Sequence, residues 1–158
     1  ELQEIEESVP EYYKSADPVV VDLKTSATLD NPLVINVDNK RGKGNLEIIT
    51  LADEECSLKG IEYRVTEVKI NSDGTYTKVG ESVDLMGENG SVNTSFAQLK
   101  EIVSGNYLVE QTAVTEGWNK DVAQIVEVPV DGTGYAVFEI DKKDEIIDTR
   151  IIFYKEKE

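Results

Sequence analysis

The sequence has no histidine, a single cysteine and a single tryptophan in 158 residues. Without histidine it lacks the usual general base, the commonest zinc ligand and any histidine-dependent triad. Most hydrolase mechanisms are thereby excluded. Cys56 can form no internal disulfide, and its acidic neighbours raise a thiol pKa, so it reads as structural or incidental. Basic side chains are also scarce: 16 face 32 acidic ones, for a net charge of -16. Such a surface repels phosphate backbones and anionic headgroups, so neither nucleic acid nor a membrane surface is an expected partner. No apolar run approaches the ~20 residues needed to span a bilayer. The acidic start ELQEIEE is unlike a signal peptide, and an exported form is expected to be a mature fragment.

The length suits one well-buried core, or a module of about 110 residues with part of a neighbour. The acidity itself needs no cationic partner, because it keeps an abundant extracellular protein solvated. Apolar residues recur with period two: Leu46 with Ile48, Ile61 with Tyr63 and Val65, Tyr107 with Val109. That is the spacing of strands with one buried side. Between them NSDG at 71–74, GENG at 87–90 and DGTG at 131–134 supply residues for which positive φ is cheap. The pattern predicts an all-β fold, an antiparallel sandwich. Two segments have some helical character, TSFAQLKEI at 94–102 and DKKDEII at 141–147.

The composition changes at NKRGKG, 39–44, where three basic residues and two glycines interrupt the acidic chain, and this reads as a linker. A faint repeat spans it: IEESVPEYYK at 5–14 matches VEQTAVTEGWNK at 109–120, and LVINVDNK at 33–40 takes the place of RIIFYKEK at 150–157. We therefore expect 1–43 to be the closing strands of a preceding similar module, or an N-terminal extension plus linker, and 44–158 to be a β-sandwich module. Half a sandwich cannot bury its inner face alone, so 1–43 needs a partner: 44–158, another chain or an upstream segment.

Four stretches resemble, in order, the Cna-B-type, prealbumin-like (SpaA-like) repeats of Gram-positive surface adhesins and sortase-assembled pilins. They are GNLEIITL at 44–51, LKGIEYRV at 58–65, FAQLKEIVSGNYLVEQ at 96–111 and EGW at 116–118. The resemblance implies an Ig-like sandwich whose modules chain into stalks. It also implies an isopeptide bond in many members, formed when a first-strand lysine attacks a last-strand asparagine with a buried acid shuttling protons. Such chemistry needs an apolar site, since the lysine must lose its charge and the acid must keep its proton.

In this sequence the inward register puts Thr50 at the lysine place and Gln111 at the acid place, and the alignment puts Tyr154 near the asparagine. Thr and Gln can hydrogen-bond in a core without a buried charge, so 44–158 is predicted to lack the crosslink. Lys43 or Lys59 with Asp148 flank the strand wrongly, and recruiting Glu110 requires a register slip that exposes the buried face. In the N-terminal segment Glu6 or Glu7 and Asn39 resemble the acid and acceptor of the preceding module.

Other constellations are weaker. Asp30, Asn31 and Asp38, or Asn71, Asp73 and Glu81, read as turn residues and not as a calcium loop. Tyr12, Tyr13 and Trp118 are candidate ligand contacts, although their family positions are those of turn-packing residues. Glu54 and Glu55 are neighbours that point apart and cannot flank one glycosidic bond. The expectation is a cell-wall-attached, extracellular spacer that uses no cofactor or metal and catalyses nothing, with neighbouring modules as partners. The alternative is a module recognising a host protein or glycan through its end loops.

Overall fold

A computed structural model describes residues 1–21, 32–89 and 93–144. Alternating burial is the organising feature: along Lys43–Ala52 (β3), Leu46, Ile48 and Thr50 are buried while the residues between them are only partly covered. The same alternation runs through Glu62–Ile70 (β4), Gly105–Ala113 (β8) and Thr133–Ile140 (β10). Strands of this kind must stack their apolar sides. They do so as two four-stranded sheets.

The remaining sandwich strands are Tyr76–Met86 (β5), Glu88–Asn89 (β6), Thr94–Val103 (β7) and Gln124–Val128 (β9). One sheet has the order β10-β3-β7-β6, the other β5-β4-β8-β9. All pairs within them are antiparallel except β10 with β3, which run parallel from Thr133 opposite Asn45 to Ile140 opposite Ala52. The core between the sheets includes Leu46, Ile48, Tyr63, Val109, Phe138 and Ile140, and the rings of Tyr63 and Phe138 stack 5.9 Å apart.

The NSDG turn forms as expected, with the Gly74 N–H donating to the Asn71 carbonyl and Gly74 at φ 83°. The segment 94–102 is not helical. It lies in β7, because its alternating Ser95 and Ala97 fit the buried side and its backbone is satisfied by the β3 ladder, which outweighs local propensity. Residues 141–144 contain no helix, and 145–147 lie outside the described residues.

The stretch expected as a linker carries strand structure. Lys40–Arg41 (β2) pairs with Tyr13–Lys14 (β1), and Lys43 already opens β3. Leu2 bridges to Val19, so the described N-terminal segment pairs within itself. It also docks on the sandwich. The Arg41 guanidinium donates to Glu67 at 2.7 Å and to the Ser104 carbonyl, the Asn106 amide donates to the Tyr12 hydroxyl at 3.2 Å, and Lys14 pairs with Asp131 at 2.7 Å. Gly105 sits here at φ 153°, a backbone conformation that L side chains rarely adopt, with the Arg41 guanidinium beside it. The repeat is not matched in local structure: 109–113 lie in β8, whereas 6–8 form a single 3-10 turn.

Candidate functional site

Three inward positions on three strands converge at one level of the core. Thr50 comes from β3 in the first sheet, Tyr63 and Gln111 from β4 and β8 in the second. Thr50 and Tyr63 are fully buried and Gln111 nearly so. The Gln111 carboxamide donates to Thr50 Oγ1 at 2.9 Å, and the Thr50 and Tyr63 hydroxyls share a 2.6 Å hydrogen bond. The Gln111 carbonyl oxygen in turn accepts the Asp121 N–H at 2.9 Å. Both contacts of Thr50 cross the gap between sheets, so one threonine hydroxyl ties the two layers together.

The cluster is uncharged. Burial pushes the Tyr63 hydroxyl pKa up, an effect partly offset by the Thr50 and Ser95 hydroxyls beside it. Buried polar groups that are all neutral and mutually bonded avoid the cost of desolvating an ion. Neither a hydroxyl nor a carboxamide supplies an amine nucleophile or a carboxylic acid, so Thr50 and Gln111 can brace the sheets but cannot form an amide crosslink with each other. Gly87 makes room for the group: a Cβ there would come 2.2 Å from Ser95 Oγ and 3.3 Å from the Tyr63 ring.

Sequence reasoning thus selected two of the three members, and the structure brings them into contact. Tyr63 was read only as a core residue. Its inward parity with Leu46 and Gln111 was legible, but its meeting with Thr50 needed the stacking of two sheets. Tyr154 lies outside the described residues, as does Asp148. Among the described residues Phe138 of β10 and Ser95 of β7 are the register partners of Thr50, and both edges of β3 are paired there. Lys43 and Lys59 are exposed, and Glu110 is partly exposed and lies 3.9 Å from Lys78.

In the N-terminal segment Asn39 meets a carboxylate, but it is Glu4, at 2.8 Å, and not Glu6 or Glu7. Glu6 and Glu7 lie in the 3-10 turn Glu6–Ser8, which leaves both exposed. Glu4 also accepts the Ala16 N–H at 3.0 Å, and the two hydrogen bonds, that from Asn39 first, hold its pKa below the ordinary carboxylate value. No sequence motif marked Glu4. The signal is its spacing from Leu2, whose bridge to Val19 fixes that stretch.

The aromatic candidates separate. Trp118 is buried in the core cluster behind the Thr115–Trp118 turn and is no surface platform. Tyr12 and Tyr13 share a cleft of about 490 Å³ with Arg41, Glu67, Val79 and Asn106. Asn71 and Asp73 bond to Thr75 inside their own turn, and Glu54 lies 3.8 Å from Lys142 on the surface. No group of three potential metal ligands occurs among the described residues, and no helix there is long and apolar enough to cross a membrane.

No family model and no curated protein matches this chain. Solved structures do. The minor pilin GBS52 of Streptococcus agalactiae is similar at a TM-score of 0.46 and 14% identity, over 75% of this chain and 52% of that one. The major pilin SpaD of Corynebacterium diphtheriae gives 0.46 and 16% over 63% and 32% of the two chains. The group B streptococcus pilus 2b backbone protein gives 0.46 and 14% over 80% and 53%. These three solved structures are pilins, and the chain spans about half or less of their length.

Proposed function

We propose that this chain is a non-catalytic spacer module of a cell-wall-attached bacterial surface protein, an adhesin or pilin of the Cna-B type, and that hydrogen bonds stand where other members carry an isopeptide bond. The observation that carries this reading is the Thr50–Gln111–Tyr63 cluster, a neutral inter-sheet brace, two of whose members are the positions at which the resemblance would put the lysine and the acid. The topology suits a load-bearing element. Because β3 and β10 are parallel neighbours, a pull on the start of β3 and the end of β10 shears their whole eight-pair ladder at once instead of unzipping it. Partners are then the adjacent modules of the same protein.

Intact-mass measurement tests the proposal. The expected mass is that of the unmodified sequence, and single-molecule pulling should extend the chain between β3 and β10 completely. Loss of one ammonia or one water, with a mechanically inextensible segment, overturns it.

A second reading rests on Glu4 and Asn39. Their contact places a carboxylate beside an acceptor amide; its pKa is held low, so a lysine strand covering the pair would have to desolvate Glu4 and restore the proton the chemistry needs. A longer chain supplying a lysine strand is expected to join that lysine to Asn39 with loss of ammonia. An unchanged mass in such a chain refutes it. Recognition of a host protein or glycan has less support, since Trp118 is buried and Tyr12 is engaged with Asn106.

A further inference from the structure

Among the described residues, one long edge of the sandwich is closed and another is left without cover. Along the outer edge of β10 the Gln124 side chain acts as a substitute strand: its Oε1 accepts the Val137 N–H at 3.2 Å and its Nε2 donates to the Val137 carbonyl at 2.5 Å. Two residues on, the Asp121 carboxylate accepts the Glu139 N–H at 2.8 Å. β5 has no such cover. It is eleven residues long, ends its sheet, and among the described residues nothing pairs along its outer side. An uncovered edge of this length is a template for another strand.

The side chains on that edge are arranged symmetrically. Its large exposed hydrophobics are Tyr76 (44%), Val79 (59%), Val83 (47%) and Met86 (73%). Reflected about Glu81, Tyr76 falls on Met86, Val79 on Val83 and Lys78 on Asp84. An unrelated strand would place no such demand on both halves of β5. A second copy of β5, laid antiparallel, satisfies it completely.

We propose that β5 is a self-association edge, at which two copies pair Tyr76–Met86 antiparallel about a two-fold axis through Glu81. Each copy contributes the same patch, so the contact closes at a dimer and does not propagate. In the dimer Tyr76 faces Met86 of the second copy within the ladder, and Val79, at the edge of the bulge, lies near Val83 of the second copy on the other side of the sheet. Lys78, which lies 3.9 Å from Glu110, comes beside Asp84 of the second copy, whose carboxylate Arg64 already holds at 2.8 and 3.1 Å, so this pair adds little. Residues 79–81 bulge opposite Glu67, between the pairs Thr66–Ser82 and Val68–Lys78, so the ladder is carried by 76–78 against 84–86, twice by symmetry. At the axis the two Glu81 side chains oppose each other, a like-charge contact that limits affinity.

Sedimentation velocity from low-micromolar to near-millimolar concentration tests this. The unmodified protein is expected to dimerise with concentration, more strongly at higher salt because each copy carries -16. Glu81→Gln is expected to tighten the dimer about two- to fivefold. Val79→Lys with Val83→Lys is expected to leave a monomer whose circular dichroism and Trp118 fluorescence are unchanged, since both valines are exposed. A protein monomeric throughout, a dimer indifferent to the paired lysines, or no tightening with Glu81→Gln overturns the proposal. Should the lysine variant fail to fold, hydrogen exchange on the unmodified chain decides: β5 amides are expected to slow as concentration rises, and exchange independent of concentration refutes the contact.

Discussion

Replacing Thr50 with valine keeps the side-chain volume and deletes one hydroxyl, which isolates the inter-sheet brace from packing. The hydroxyl holds a Gln111 donor at 2.9 Å and the Tyr63 hydroxyl at 2.6 Å, with all three residues buried. Each buried polar group left without a partner costs about 1–3 kcal/mol. Tyr63 can turn to the buried Ser95 hydroxyl, which has no partner of its own among the described residues, so its loss belongs at the low end of that range. The expected destabilisation of Thr50→Val is therefore about 2–4 kcal/mol. For a domain of this size that lowers Tm by roughly 5–15 °C. Gln111→Leu alone should cost a similar amount, because it strips the Asp121 N–H of its acceptor as well. The double variant should cost less than the sum, since neither partner is then left waiting for the other, with a coupling of about 1–2 kcal/mol. Urea unfolding followed by fluorescence of the buried Trp118 measures all four corners of the cycle. A Thr50→Val cost below about 0.5 kcal/mol, or strict additivity with Gln111→Leu, refutes the brace.

Gly87→Ala should destabilise the fold by about 1–3 kcal/mol, since its Cβ meets Ser95 Oγ and the Tyr63 ring; thermal melting checks it. Arg41→Ala removes the clamp on Glu67 and the Ser104 carbonyl, so limited proteolysis should cut 1–40 faster while the sandwich melts within about 1 kcal/mol of the parent. Alkali should weaken the protein. The Tyr107 hydroxyl donates to the Val103 carbonyl, and burial, reinforced by the Glu67 carboxylate, raises its pKa from 10.0 to about 12. The unfolded chain releases that proton first, so stability is intact below pH 10, declines toward pH 12 and levels beyond, losing up to about 2–3 kcal/mol. Urea titrations across that window should show the fall, and Tyr107→Phe should reduce it, leaving the part contributed by Tyr63, whose hydroxyl pKa burial also raises.

The sequence by itself determined the class of fold and the residue types at the critical level of the core. Period-two patterning placed Leu46, Ile48, Tyr63, Val65 and Val109 on buried faces, and burial follows that parity because a strand side chain has only two directions. The same parity put Thr50 and Gln111 inward. What it left undecided depends on contacts between distant segments. The 94–102 stretch is a strand because β3 offers its backbone a ladder, a neighbour that local propensity does not see. The strand beside Thr50 is β10, chosen by a parallel crossover between strands about ninety residues apart. Asn39 bonds to Glu4 and not to its nearer-matching neighbours because a 3-10 turn directs Glu6 and Glu7 to solvent. Trp118 became core rather than platform when the closing turn folded over the sandwich end. Local chemistry fixes which face a residue occupies, whereas which residues meet across that face is settled only when the sheets stack.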